Sequence, residues 1–184
     1  MCNSKLITRL EWKYPIKGAS PLEVETWLRS HTNWVSAFPA RWVHSRYYDY
    51  PDWRLLAASR QGLPARSKYR LRWYDDPDQN RWEQKSRRGE VVSKETILAL
   101  PPGLQAVVDI RYRRAYYQWP GRPDVRLTLE WDLGVSLPHK NAYRAFSGPL
   151  LELKLPAENQ PSLPVLPWRR SRHSKYDLAC QVIY

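Results

Sequence analysis

Positions two apart in several short stretches carry the residues whose types could do chemistry. Arg9, Glu11 and Lys13 form one such set, and Lys68, Arg70 and Arg72 another. Glu83 with Lys85, Arg126 with Thr128, Glu130 and Asp132, and Glu152 with Lys154 complete the series. Residues two apart in an extended strand share a face, so each stretch presents one charged face. The alternate positions are apolar: Leu10 and Trp12; Tyr69, Leu71 and Trp73; Leu127, Leu129 and Trp131; Leu151, Leu153 and Leu155. Lys and Arg side chains mixed with isolated carboxylates suit the oxygens of a phosphate chain. A charge-assisted hydrogen bond there contributes about 1.5–3 kcal/mol, and carboxylates can hold a divalent ion that bridges phosphate oxygens.

The elements that position these faces can be read from the same sequence. Strands are predicted over residues 6–14, 42–48, 68–74, 81–85, 109–118, 125–132 and 150–155. A helix is predicted after Ser20-Pro21-Leu22-Glu23, which has capping-box spacing with Pro at the first helical position; Val24, Trp27, Leu28 and His31 share its face. A short helix over residues 52–60 stops at Gly62, and a last helix covers residues 172–182. The proline-rich stretch 156–167 reads as an extended loop. Many strands with short connections predict an α+β chain built on a closed or nearly closed antiparallel barrel with helices around it, as a single domain over residues 1–184.

Pattern alone leaves two orientations open. In an ordinary antiparallel sheet the charged faces meet solvent and the apolar faces a core. In a small barrel whose large aromatic faces are covered from outside, the charges point inward. Unpartnered cations there would cost several kcal/mol each, which an enclosed polyanion would offset.

The chain has 184 residues, enough for one sizeable core. Its 30 Lys and Arg against 18 Asp and Glu leave a formal charge of +12, which favours anionic partners. The 10 Trp and 12 Tyr, against 2 Phe, suit strands with one wet and one packed face. No apolar run approaches the roughly 20 residues that span a bilayer, and residues 1–5 show no secretory pattern. The expected location is cytoplasmic, or the cytoplasmic face of a membrane. Cys2 and Cys180 match no metal spacing and read as free thiols, with a bridge between the termini as the alternative. His31, His44, His139 and His173 are scattered, so no zinc site is predicted.

Taken in order, the motifs resemble a known family. RLEWKY at residues 9–14 resembles the first strand of the VTC domain, the polyphosphate-polymerase branch of the triphosphate tunnel metalloenzymes (CYTH-like superfamily). RWVHSRYYDY (41–50) is similar to that family's R-x-V-x-S-x-Y-F-D segment, and KYRLRWYD (68–75) to its K-x-R-x-R-W-Y-G strand. WEQK (82–85) resembles the E-x-K strand, followed by Lys94 in VSKE. RYRRAYYQ (111–118) resembles Y-x-R-x-x-Y/F, RLTLEWD (126–132) resembles R-x-T-x-D-x-D, LELK (151–154) the late E-x-K, and RHSKY (172–176) the closing K-F-S-K-Y. The order holds nearly end to end.

The resemblance implies an antiparallel eight-stranded β-barrel, the triphosphate tunnel fold, with flanking helices and a C-terminal helix. It implies phosphate ligands at Lys13, Arg70, Arg72, Lys85, Lys94, Arg114, Arg126, Lys154, Arg172 and Lys175. Among these, Lys13, Arg70, Arg72, Lys85, Arg114 and Lys154 would carry the catalysis. Glu152 would be the principal ligand of Mn²⁺ or Mg²⁺, with Glu11, Glu83 and Glu130 as helpers or ion-pair partners. Arg172 and Lys175, three apart, would share a face of the last helix and close one mouth. Lys94 as a solvated loop charge and Arg126 as an ion-pair partner of Glu130 are the plain alternatives.

The implied substrates are ATP and polyphosphate or triphosphate; no specific nucleic acid is expected, and a membrane-protein partner would come from another chain. Transfer of a terminal phosphate onto a polyphosphate chain is the expected activity, with two alternatives: an inorganic tripolyphosphatase or nucleoside triphosphatase in the same tunnel, or a non-catalytic module that binds polyphosphate or RNA. The sequence departs from the E-x-E-x-K first strand of tunnel phosphatases by placing Arg9 at the first Glu, which favours retention of a long anion over metal-heavy hydrolysis.

Overall fold

The computed structural model describes residues 7–140, 142–172 and 174–184. Cys2, the N-terminal five residues, the start of the first strand at Leu6, and His173 lie outside these. In chain order the elements are β1 (Ile7–Pro15), α1 (Pro21–His31), β2 (Val35–Asp49), α2 (Arg54–Arg60), β3 (Ala65–Tyr74), β4 (Arg81–Arg88), β5 (Val91–Ile97), β6 (Gln105–Trp119), β7 (Arg122–Ser136), β8 (Arg144–Ser147), β9 (Leu150–Pro156) and α3 (Lys175–Ile183).

The strands run in the order β6-β2-β3-β4-β5-β1-β9-β7-β8, and β6 also pairs with β7. That last pairing closes eight antiparallel strands into a ring, with β8 attached alongside β7. Register decides which way the charges face. Lys68 stands opposite Lys85, Arg70 opposite Glu83, Glu11 opposite Lys154 and Arg114 opposite Glu130. All these charged positions fall on the inner surface, so the inward orientation is the one realised.

Burial of the outer apolar faces explains why. Leu127, Leu129, Leu151, Leu153 and Leu155 pack with Val24 and Leu28 of α1, and Leu163, Leu166 and Trp168 of the proline-rich segment extend that layer. Ser20 caps α1 as expected: its Oγ accepts from the Glu23 N–H at 3.3 Å, and Glu23 accepts from the Ser20 N–H at 2.7 Å. A second core joins α2 and α3 to the ring through Leu56, Tyr176, Ala179 and Cys180 packed on Val43, Val108, Ile110, Leu133 and Val135. Asp49, fully buried, ties this end together by accepting from the N–H groups of Leu55 and Leu56 and from the Tyr176 hydroxyl at 3.1, 2.9 and 2.7 Å. Gly62 takes φ +70° just past α2, where the Leu63 N–H bonds the Ala58 carbonyl at 3.1 Å, as a left-handed helix stop requires.

Several expectations need correcting. The second strand begins at Val35, its first half broken by register shifts around Phe38. Residues 91–97 form β5, so Lys94 is a strand residue, not a loop charge. The last helix starts at Lys175 behind its N-cap Ser174, so Arg172 precedes it and cannot share its face. Asp132 takes φ +53° beside a β-bulge and is exposed; the bulge breaks the alternation that would have placed it with Arg126 and Glu130.

Candidate functional site

One strand shows how the interior is built. On β3 the alternate residues Arg66, Lys68, Arg70, Arg72 and Tyr74 all line a cavity of about 1230 Å³ enclosed by the ring. Each is held by a neighbour. Arg70 donates Nε and Nη2 to Glu83 Oε2 at 2.9 and 2.6 Å, and Nη1 to the Tyr47 hydroxyl at 3.1 Å. Arg72 donates Nε and Nη2 to Ser45 Oγ at 3.1 and 2.9 Å, and Nη2 also to the Tyr112 hydroxyl at 3.0 Å. Lys68 Nζ donates to Ser174 Oγ at 2.7 Å. Rigid placement of this kind removes the entropy a long side chain would otherwise lose on meeting a ligand.

The facing walls repeat the pattern. Arg114 donates Nε to Glu130 Oε1 at 3.0 Å and Nη2 to both Glu130 and the Tyr112 hydroxyl, while Lys175 Nζ reaches Glu130 Oε2 at 2.5 Å. Glu130 is therefore taken by Arg114 and Lys175, and Arg126, four residues away on β7, lines the cavity exposed. Glu11 accepts from Lys85 and, at 3.2 Å, from Arg9 Nε. Glu152 has Lys154 at 3.3 Å and both Lys13 and Lys175 at 3.9 Å.

Burial and like charge leave this interior electrostatically unbalanced. Lys and Arg far outnumber the lining carboxylates, which are Glu11, Glu90, Glu152 and Asp177. Burial pushes the Lys154 ammonium down to about 7 and that of Lys13 down to about 8, in each case partly offset by Glu152. Lys68 is driven well below the usual lysine range, by burial first and then by Lys13, Lys85 and Arg66. The carboxylates respond oppositely. Burial works against ionisation of Glu11, but Lys85, Lys13 and Arg9 outweigh it and hold the carboxyl at about 2; Glu152 is likewise held well below its usual value by Lys154, Lys175 and Lys13. An anion brought into this space meets groups whose ionisation it would favour.

Among the described residues no three His, Cys, Asp or Glu side chains converge as a metal cage. Glu11 and Glu152 nevertheless both face the cavity and lie close enough to oppose each other's ionisation. Two carboxylates completed by phosphate oxygens and water fit Mg²⁺ or Mn²⁺, which commonly bind with few protein ligands and a substrate phosphate.

All ten sequence-predicted cations line the cavity: Lys13, Arg70, Arg72, Lys85, Lys94, Arg114, Arg126, Lys154, Arg172 and Lys175. Of the four predicted carboxylates, Glu11 and Glu152 line it, whereas Glu83 and Glu130 lie behind the guanidinium and ammonium groups they bind. Further lining residues escaped sequence reasoning. Arg66 and Arg87 continue the alternation of β3 and β4 by one step and were findable by that rule. Phe38 and Arg41, next to the bulges of β2, and the phenols of Tyr47 and Tyr112 carry no charge pattern that would reveal them.

The model of the VTC domain family matches residues 8–103, a narrower span than the end-to-end motif series, although the later motifs enter the same cavity. Among solved structures, a candidate adenylate cyclase from Vibrio parahaemolyticus is similar at 16% identity with a TM-score of 0.53, over 83% of this chain and 78% of that one. A protein from Pyrococcus horikoshii is similar at 13% identity with a TM-score of 0.51, over 95% and 97%. These likenesses concern the fold. No curated protein matches the sequence.

Proposed function

The chain belongs to the VTC domain family, and from that premise we propose that it is a polyphosphate polymerase-like phosphotransferase. It would move the terminal phosphate of ATP onto a polyphosphate chain held in the ring. The observation that carries the reading is the cavity of about 1230 Å³ inside the ring, whose lining cations exceed its carboxylates. Neutral ligands gain nothing from such a lining, whereas a triphosphate or a longer phosphate chain supplies the missing charge along its whole length.

In the proposed reaction a terminal oxygen of the chain attacks the γ-phosphorus, the bond to the β-phosphate oxygen breaks, and ADP leaves. The attacking oxygen is already anionic, so no strong general base is needed; alignment and neutralisation do the work. Lys13, Arg70, Arg72, Lys85, Arg114 and Lys154 would hold the reacting phosphates, and Lys94, Arg126, Arg172 and Lys175 the flanking ones. Glu152, with Glu11 beside it, would hold Mn²⁺ or Mg²⁺, which when bound supplies positive charge at phosphate oxygens. Glu83 and Glu130 would aim the cations they bind.

The activity would reside in residues 1–184 as one domain, in the cytoplasm or at the cytoplasmic face of a membrane. No helix among the described residues is long and apolar enough to cross a membrane. The test is incubation with γ-labelled ATP and Mn²⁺ with products resolved by length. A ladder of long labelled polymer is expected, and free phosphate without polymer would replace this reading by hydrolysis in the same tunnel.

A further inference from the structure

The two mouths of the cavity differ in chemistry. β3 runs between them, with Arg66 and Tyr74 eight residues apart, roughly 26 Å along an extended strand. At the Arg66 mouth the lining is guanidinium: Arg87 stands opposite Arg66 in the strand register, and Arg172 approaches on the segment before α3. The charges of Arg87 and Arg172 add to burial in lowering the Arg66 pKa. Among the described residues, none of the three has a carboxylate within ion-pair distance.

At the Tyr74 mouth the lining is aromatic. The Arg41 guanidinium lies 4.0 Å from the centroid of Tyr74 and 5.1 Å from that of Tyr116, and its Nε donates to the Tyr116 hydroxyl at 3.1 Å. Phe38 meets the Tyr116 ring edge-on, centroids 5.9 Å apart at 88°. Phe38 lines the cavity, yet the residue is 62% exposed. The register of β2 against β6 shifts on both sides of Phe38, between Ser36 and Phe38 and between Phe38 and Arg41. Such irregularities re-aim a side chain, and here they set a large apolar ring in solvent at the rim of a polar cavity. Neither packing nor phosphate binding explains that placement. An exposed ring backed by a second ring and a fixed guanidinium is the composition of a base-stacking platform.

We propose that the Phe38 mouth, with Tyr116 and Arg41 behind it, is a nucleobase subsite that orients a nucleoside triphosphate with its phosphates pointing inward toward Arg72 and Arg70. This rests on the nucleotide reading above and adds the end at which the nucleotide enters. It also accounts for how the site would tell ATP from inorganic triphosphate, since the base contributes only at this mouth.

The experiment is calorimetric titration of the purified chain with ATP and, separately, with tripolyphosphate, both with Mg²⁺. Phe38→Ala is expected to weaken ATP binding about tenfold, the order of one base–aromatic stack, while tripolyphosphate affinity stays within about twofold. Phe38→Trp, which keeps a ring, is expected to hold ATP near wild type. Equal losses for both ligands in Phe38→Ala, or no loss for either, would overturn the subsite and leave the tunnel reading standing. A loss confined to ATP in Arg66→Ser/Arg87→Ser instead would overturn it by placing the base at the other mouth. Wild-type protein that binds neither ligand would overturn the tunnel reading and the subsite with it.

Discussion

The four inward-facing glutamates of β1, β4, β7 and β9 occupy two kinds of wall. Glu83 on β4 and Glu130 on β7 are fully buried, and their oxygens are taken up by guanidinium and ammonium groups: Arg70 and Lys94 on Glu83, Arg114 and Lys175 on Glu130. Glu11 and Glu152, on the neighbouring strands β1 and β9, keep a face toward the cavity, and Glu152 has its ammonium partners no nearer than 3.3 Å. The same residue type thus serves two ends. Enclosed by forked donors, a carboxylate is a strut that aims cations. Edged by ammonium groups at 3.3 Å or more, as Glu152 is, it stays available to an incoming ion. The difference lies in how closely the donors hold the carboxylate, and Glu11, which faces the cavity but accepts from both Lys85 and Arg9, stands between the two kinds.

The comparison breaks most visibly at Glu83. Glu83→Gln would leave Arg70, Arg72 and Lys94 without their shared counter-charge, and a loss of about 3–5 kcal/mol of stability is expected in urea unfolding. A change under about 1 kcal/mol would show that the enclosed carboxylate is no strut. Next comes Glu152→Gln, expected to lower polymer formation about a hundredfold and to weaken Mn²⁺ binding in the presence of tripolyphosphate, with the fold retained by circular dichroism. Unchanged Mn²⁺ affinity would erase the distinction between the two walls.

Acid provides a third test. Burial opposes ionisation of Glu130, yet Lys175 and Arg114 hold its carboxyl at about 2 in the folded chain, against roughly 4.3 when unfolded. Its folded pKa is depressed, so its contribution is fully present above the unfolded value and lost as pH falls through about 2. Stability is expected to drop between about pH 5 and 2, with about 1–3 kcal/mol of that slope absent from Glu130→Gln. Parallel profiles for the two proteins would count against an enclosed, ionised Glu130. The smallest effect is expected for Glu11→Gln, about tenfold or less on Mn²⁺ affinity, because Glu152 remains; a loss as large as that of Glu152→Gln would make the two equal partners.

Much of this was legible in the strands themselves. Strict alternation puts Arg70 with Arg72 on one face of their strand and Glu152 with Lys154 on one face of theirs, because the period of a strand leaves no other choice. Alternation could not say which surface faced inward. That depends on ring closure and on the cover supplied by α1 and the proline-rich segment, both long-range. β5 was missed because VVSKETI carries no sustained apolar alternation, and β8 because four residues are too few for a pattern. Asp132 and Phe38 were unreadable for one shared reason. Each sits beside a bulge, where one extra residue inverts the face that spacing assigns. Arg172 was misplaced by reading a helix one turn too early, before its Ser174 cap.

Ring closure has a consequence for how this protein meets other chains. A sheet with free edges offers unpaired backbone groups on which another strand can align, both as a recognition device and as a route into aggregates. Here the β6–β7 pairing closes the circuit, and among the described residues the outer side of the four-residue β8 is left as a short edge. A partner protein would therefore have to read side chains rather than lengthen the sheet, and a chain so rich in strand-forming sequence stays protected from its own copies for as long as the ring holds shut.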